Sequence, residues 1–151
     1  MKNKIACIVA GVYTALWSPA RILEHLVSSM ALYGWHTIYF NDDDAGDEAL
    51  KSYGMEKYMH QFPAFTFACR AEKIIALDSK ASDKLHLFAH EMGHIFLGHD
   101  LFAPTPYDEV EADQFSAQLI QAIETGQESF EMILEGLQGS YKKQPCAACK
   151  P

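Results

Sequence analysis

The chain has 151 residues, 49% of them hydrophobic, with 12 Lys and Arg against 20 Asp and Glu and a net charge of -8. That length suits a single domain able to bury its own core without disulfide staples. The acidic balance argues against a phosphate-binding surface, and no nucleic-acid partner is expected, because affinity for nucleic acid comes mainly from Lys and Arg displacing counterions.

The chain opens with Met1-Lys-Asn-Lys4, the apolar run Ile5 to Trp17 and then Ser18-Pro19-Ala20, which together have the outline of a secretory signal. Proline beside the presumptive cleavage point and the aromatic residues Tyr13 and Trp17 count against that reading. At 13 residues the run is too short to span a bilayer, and no other segment reaches the ~20 apolar residues a span needs, so no membrane partner is expected. Ser18 as N-cap and Pro19 at the first helical position start an amphipathic helix over 19–33, ended by Gly34. Trp35 to Phe40 is rich in β-branched and aromatic residues and reads as a strand, followed by a short helix near 46–53. Ala64 to Arg70 and Lys73 to Asp78 read as the two strands of a hairpin joined by Ala71-Glu72.

From Ser82, a candidate N-cap, Leu85, Phe88, Ala89, Met92, Ile95 and Phe96 recur at three and four residues and predict a helix stopped by Gly98. Pro104 and Pro106 mark a loop, Tyr107 to Ala122 resumes helical spacing, and a last helix covers 127–138. Residues 1–140 form the expected domain, and 141–151 a flexible tail. Cysteines at 7, 69, 146 and 149 are too few and too unevenly placed for a disulfide framework, so a reducing cytosol is the simpler setting; the signal-like start leaves secretion as the alternative. Cys146-Ala-Ala-Cys149 has metal or redox spacing but no second pair, and two incidental thiols on a tail suffice to explain it.

The 82–98 helix carries His90-Glu91-Met92-Gly93-His94, an HExxH. Four residues advance a helix by about 6 Å and 400°, so the two imidazoles emerge on one face and can converge on one ion, while Glu91 lies about 100° round, placed to reach a water on that ion. In such a zinc hydrolase two neutral imidazoles hold the metal and the carboxylate takes the water's proton. A catalytic zinc takes three protein ligands. Glu109 and Asp113 share a face of the next helix, so Glu109 could complete the set while Asp113 hydrogen-bonds a liganding histidine; Glu111 points elsewhere. The alternative for both is ordinary acidity at a helix N-terminus. His99 is a rival third ligand, but it comes five residues after His94 and on a continuing helix would sit about 140° off the ligand face. His99 or Tyr107 could instead stabilise an oxyanion, and the sequence does not choose between them. His86 could line the cleft, whereas Phe65 and Phe67, with Phe62, suit a core.

The stretch from Lys73-Ile-Ile-Ala-Leu-Asp78 through His90-Glu-Met-Gly-His-Ile-Phe-Leu-Gly-His99 to Glu109-Val-Glu-Ala-Asp-Gln-Phe-Ser-Ala117 resembles the ImmA/IrrE family of small zinc metallopeptidases. The resemblance covers roughly residues 64–120. It implies a compact α+β domain with a small antiparallel sheet against the metal helices, one zinc per chain held by His90, His94 and Glu109, and Glu91 as general base. It also implies a regulatory endopeptidase that cleaves a helix-turn-helix repressor, here a separate chain, since this sequence has no convincing helix-turn-helix of its own. The strand Lys73 to Asp78 could offer an edge for an extended substrate. A second class of function is a binding module that keeps the zinc fold and sequesters its partner uncut. Between Lys84 and Lys142 there is no Lys or Arg and ten of the twenty acids lie there, so the acidity belongs to the metal-bearing half.

Overall fold

In the computed structural model the described residues are 17–42, 44–69, 72–126 and 129–140. They form α1 (Pro19–Leu32), β1 (Trp35–Phe40), α2 (Asp44–Ser52), α3 (Glu56–Met59), β2 (Ala64–Cys69), β3 (Glu72–Asp78), α4 (Lys84–Leu97), α5 (Pro106–Thr125) and α6 (Phe130–Ser140). The class is α+β, as expected, with one small sheet packed against helices. The sheet is mixed where an antiparallel one was expected: its order is β1-β3-β2, with β2 antiparallel and β1 parallel to β3. The parallel pair is possible because α2, α3 and β2 provide the long crossover that parallel neighbours require.

That order makes β3 the central strand, which explains its composition. Ile75 and Leu77 face the main core with α1, α4, α5 and α6, while Ile74 and Ala76 face a second cluster with Phe40, Leu50, Phe65 and Phe67. A strand covered on both faces reads as an unbroken apolar run, here Ile74 to Leu77. It is hydrogen-bonded on both sides and offers no free edge; the two edges are β1 and β2, and of these β2 borders the cavity.

Several boundaries differ from expectation for local reasons. The N-cap of α4 is Asp83, not Ser82, because the Asp83 carboxylate accepts from the backbone N–H of His86 at 3.4 Å and lies 2.9 Å from its Nδ1. The α6 helix starts at Phe130, later than the expected 127, after Ser129, whose hydroxyl accepts from Met132 N–H at 3.3 Å. The four-residue α3 is too short to leave a periodic signature. Trp17, the last residue of the signal-like run, sits edge-on to His25 at 5.6 Å and packs on the core. Residues 1–16 and the tail 141–151, with Cys7, Cys146 and Cys149, lie outside the described residues, and the remaining Cys69 is exposed. Among the described residues no helix is long and apolar enough to cross a membrane.

Candidate metal centre

The centre is built where α4 and α5 touch. Gly93, inside the HExxH, faces Ala112 so closely that a Cβ there would lie 2.9 Å from Ala112 Cα. Only glycine permits that approach. Ala112 stands between Glu109 and Asp113, so the same contact brings both carboxylates to the histidines. Capping fixes the start of α5: Thr105 and Asp108 form a reciprocal capping box, and Pro106 occupies the first turn.

His90 Nε2 lies 3.0 Å from His94 Nε2 and 3.1 Å from Glu109 Oε2, and His94 Nε2 lies 3.6 Å from Glu109 Oε1. On its other side His90 Nδ1 is 2.7 Å from Asp113 Oδ1. A carboxylate only accepts, so His90 Nδ1–H donates to Asp113, which leaves Nε2, the nitrogen facing His94 and Glu109, to bind a cation in place of a proton. The structure thus places His90, His94 and Glu109 where a metal ion could be held. The donor chemistry fits a cation: lone pairs converge there, and among the described residues no Lys or Arg lines the surrounding cavity. His94 is 5% exposed, and burial is the main cause that pushes its pKa down to about 4. It is therefore neutral near pH 7, the form that ligates.

Glu91 is 8% exposed and lines the same cavity. Burial pushes its carboxyl up to about 7, against the opposing pull of His90 and a hydrogen bond from the Thr66 hydroxyl on β2. The cavity, about 1080 Å³, runs between the α4–α5 pair and β2. Apolar parts of its wall come from Tyr58, Phe62, Phe65 and Phe67 on one flank and from Leu101 and Phe102 in the α4–α5 loop, with Gln61, Asp83 and Asp100 among the polar residues that also line it. His86 also lines it, from an exposed position at its rim.

His99 and Tyr107 lie elsewhere. The helix does not continue past Leu97: Gly98 is left-handed with φ 73°, Gly98 N–H bonds to Ile95 C=O at 3.3 Å and His99 N–H to His94 C=O at 3.0 Å. This Schellman turn folds His99 back behind His94, with Nδ1 to Nδ1 3.0 Å and the ring 5% exposed. Tyr107 is 70% exposed and hydrogen-bonds Glu111. Neither lines the cavity, so neither is positioned as an oxyanion donor. Glu111, read as pointing elsewhere, does turn from the centre: its Oε2 is 3.2 Å from His99 Nε2, with Asp108 Oδ1 at 3.6 Å. The sequence signal for this cluster was available, since a glycine stop brings the residue after it onto the one five positions earlier.

No protein-family model, characterised protein or solved structure matches the chain at a significant level.

Proposed function

We propose that the protein is a zinc-dependent endopeptidase of the ImmA/IrrE type, acting on a separately encoded helix-turn-helix repressor. The observation that carries this reading is the joint placement of His90, His94 and Glu109 around one point with the buried carboxyl of Glu91 lining the same cavity. Two imidazoles and one carboxylate, open toward a cavity, are the donor set of a catalytic zinc. Zinc held there by His90, His94 and Glu109 would supply Lewis acidity, lowering the pKa of a water toward neutrality and polarising the scissile carbonyl. Glu91 accepts the proton of the attacking water and returns it to the leaving amine, a task suited to a carboxyl whose pKa lies near the working pH. The edge strand β2 takes the role the sequence reading gave to β3: it borders the cavity, and an extended peptide can add along its free side.

A binding module that sequesters its partner uncut needs the metal ligands and has no use for a buried carboxyl beside them. The experiment is Glu91→Gln compared with wild type, both zinc-loaded, against the repressor encoded nearest the gene and against a peptide library. Fragments from wild type alone, with equal zinc in both proteins, support the peptidase; equal relief of repression without fragments supports the sequestering module.

A further inference from the structure

The metal-site reading leaves open what fixes the ring of His94. Its Nδ1 faces His99 Nδ1 at 3.0 Å, and one of the two must donate. The far side of His99 decides which. His99 Nε2 faces Glu111 Oε2 at 3.2 Å and Asp108 Oδ1 at 3.6 Å, and carboxylate oxygens accept only. Nε2 is therefore the nitrogen of His99 that donates, toward the two carboxylates, and Nδ1 is left to accept. His94 must then donate from Nδ1, which leaves the bare lone pair on Nε2, the nitrogen 3.0 Å from His90 Nε2. On the opposite flank Asp113 imposes the same polarity on His90 through a 2.7 Å contact.

We propose that His99, itself oriented by Glu111, is a positioning residue that selects the Nδ1–H tautomer of His94 and so aims its Nε2 into the centre. This rests on the reading of the centre as a metal site. Three features argue that the relay is built. The Schellman turn at Gly98 places the two rings in contact by backbone geometry alone. The side chains of His99, Asp108 and Glu111 are 4%, 16% and 18% exposed, so water competes little for the ring. Asp108 is held in the α5 capping box and Glu111 is hydrogen-bonded by Tyr107, so both carboxylates are fixed from behind.

The test uses the full chain. Long-range ¹⁵N–¹H correlation on the metal-free wild type reads each tautomer directly, with Nδ1–H expected on His94 and Nε2–H on His99. The reverse assignment overturns the proposal. Zinc affinity by chelator competition is expected to fall about 10–100-fold in His99→Phe, which removes the acceptor, and to recover in large part in His99→Gln, whose side-chain oxygen can accept from His94. Glu111→Gln should release the tautomer of His99 and weaken zinc less. Unchanged affinity in His99→Phe overturns the proposal, as does a second zinc per chain that Glu111→Gln abolishes, since His99 would then be a ligand. If His99→Phe does not fold, the wild-type tautomers still decide. Wild type that binds no zinc defeats the metal reading, and the same tautomer spectra then still show whether His99 orients His94.

Discussion

The two walls of the cavity are made from different materials. The helix wall, α4 against α5, is polar and tightly determined: Gly93 sits on Ala112, and His90, Glu91, His94, Glu109 and Asp113 are each tied to a neighbour. The opposite wall, from α3 through β2, is aromatic and partly open, with Phe62 50% exposed beside the buried Phe65 and Phe67. Chemistry needs groups fixed to within about 0.5 Å, and recognition of an extended chain needs free backbone and apolar surface. The division predicts that changes on the helix wall act on turnover, metal or stability, and changes on the strand wall act on KM.

The largest effect is expected at Glu91. Replacing it with Gln should lower kcat by about 10²–10⁴-fold with metal content unchanged, read by steady-state kinetics beside elemental analysis. Loss of metal together with activity would move Glu91 from proton transfer to ligation and blur the two roles assigned to this wall.

The same substitution has a signed effect on the stability of the metal-free protein. Folding raises the Glu91 pKa from 4.5 to about 7 and lowers that of His94 from 6.5 to about 4. Between pH 4.5 and 6.5 the unfolded chain holds one proton on His94 and the folded chain holds one on Glu91, so these two groups together give no slope. From pH 6.5 to 7 the raised Glu91 makes stability fall as pH rises. In Glu91→Gln only His94 remains, so stability should climb from pH 4 to 6.5 by about 3 kcal/mol, at ~1.4 kcal/mol per pH decade. Urea melts across that range check it, and parallel curves for the two proteins would refute the buried-carboxyl account.

Next comes Gly93→Ala. A methyl 2.9 Å from a backbone Cα must push the helices apart, at a cost of about 1–3 kcal/mol, and Glu109 and Asp113 retreat with α5. Thermal unfolding should show the loss, and zinc affinity should drop with it. A stable variant with intact affinity would show that the helix wall is less tightly determined than the contact implies.

How much of this contrast was legible in the sequence follows from which forces leave local marks. Helical spacing exposed α4 and its three motif residues, and the pairing of Glu109 with Asp113 came from the same 3.6 period. Strand order leaves no such mark, yet the unbroken Ile74 to Leu77 run already implied a strand buried on both faces, which an edge cannot be. Gly98 was read as the stop of α4, but the contact of His99 with His94 was not, because it depends on the left-handed turn that reverses the chain there. Gly93 was passed over because a close approach between helices depends on a partner nearly twenty residues away.

The smallest effects belong to the strand wall. Phe62 and Phe102 are 50% and 51% exposed, so under the proposed peptidase function each has roughly half its ring left to bury against a substrate. Truncating either to Ala should cost about 1 kcal/mol of binding, near fivefold in KM, with kcat and zinc affinity unchanged. The two belong to different segments, the turn after α3 and the α4–α5 loop, so their effects should add if they contact separate parts of the substrate. A fall in kcat from either truncation would mean that the aromatic wall also helps to orient the scissile bond, and the separation between a catalytic helix wall and a binding strand wall would then fail at that residue.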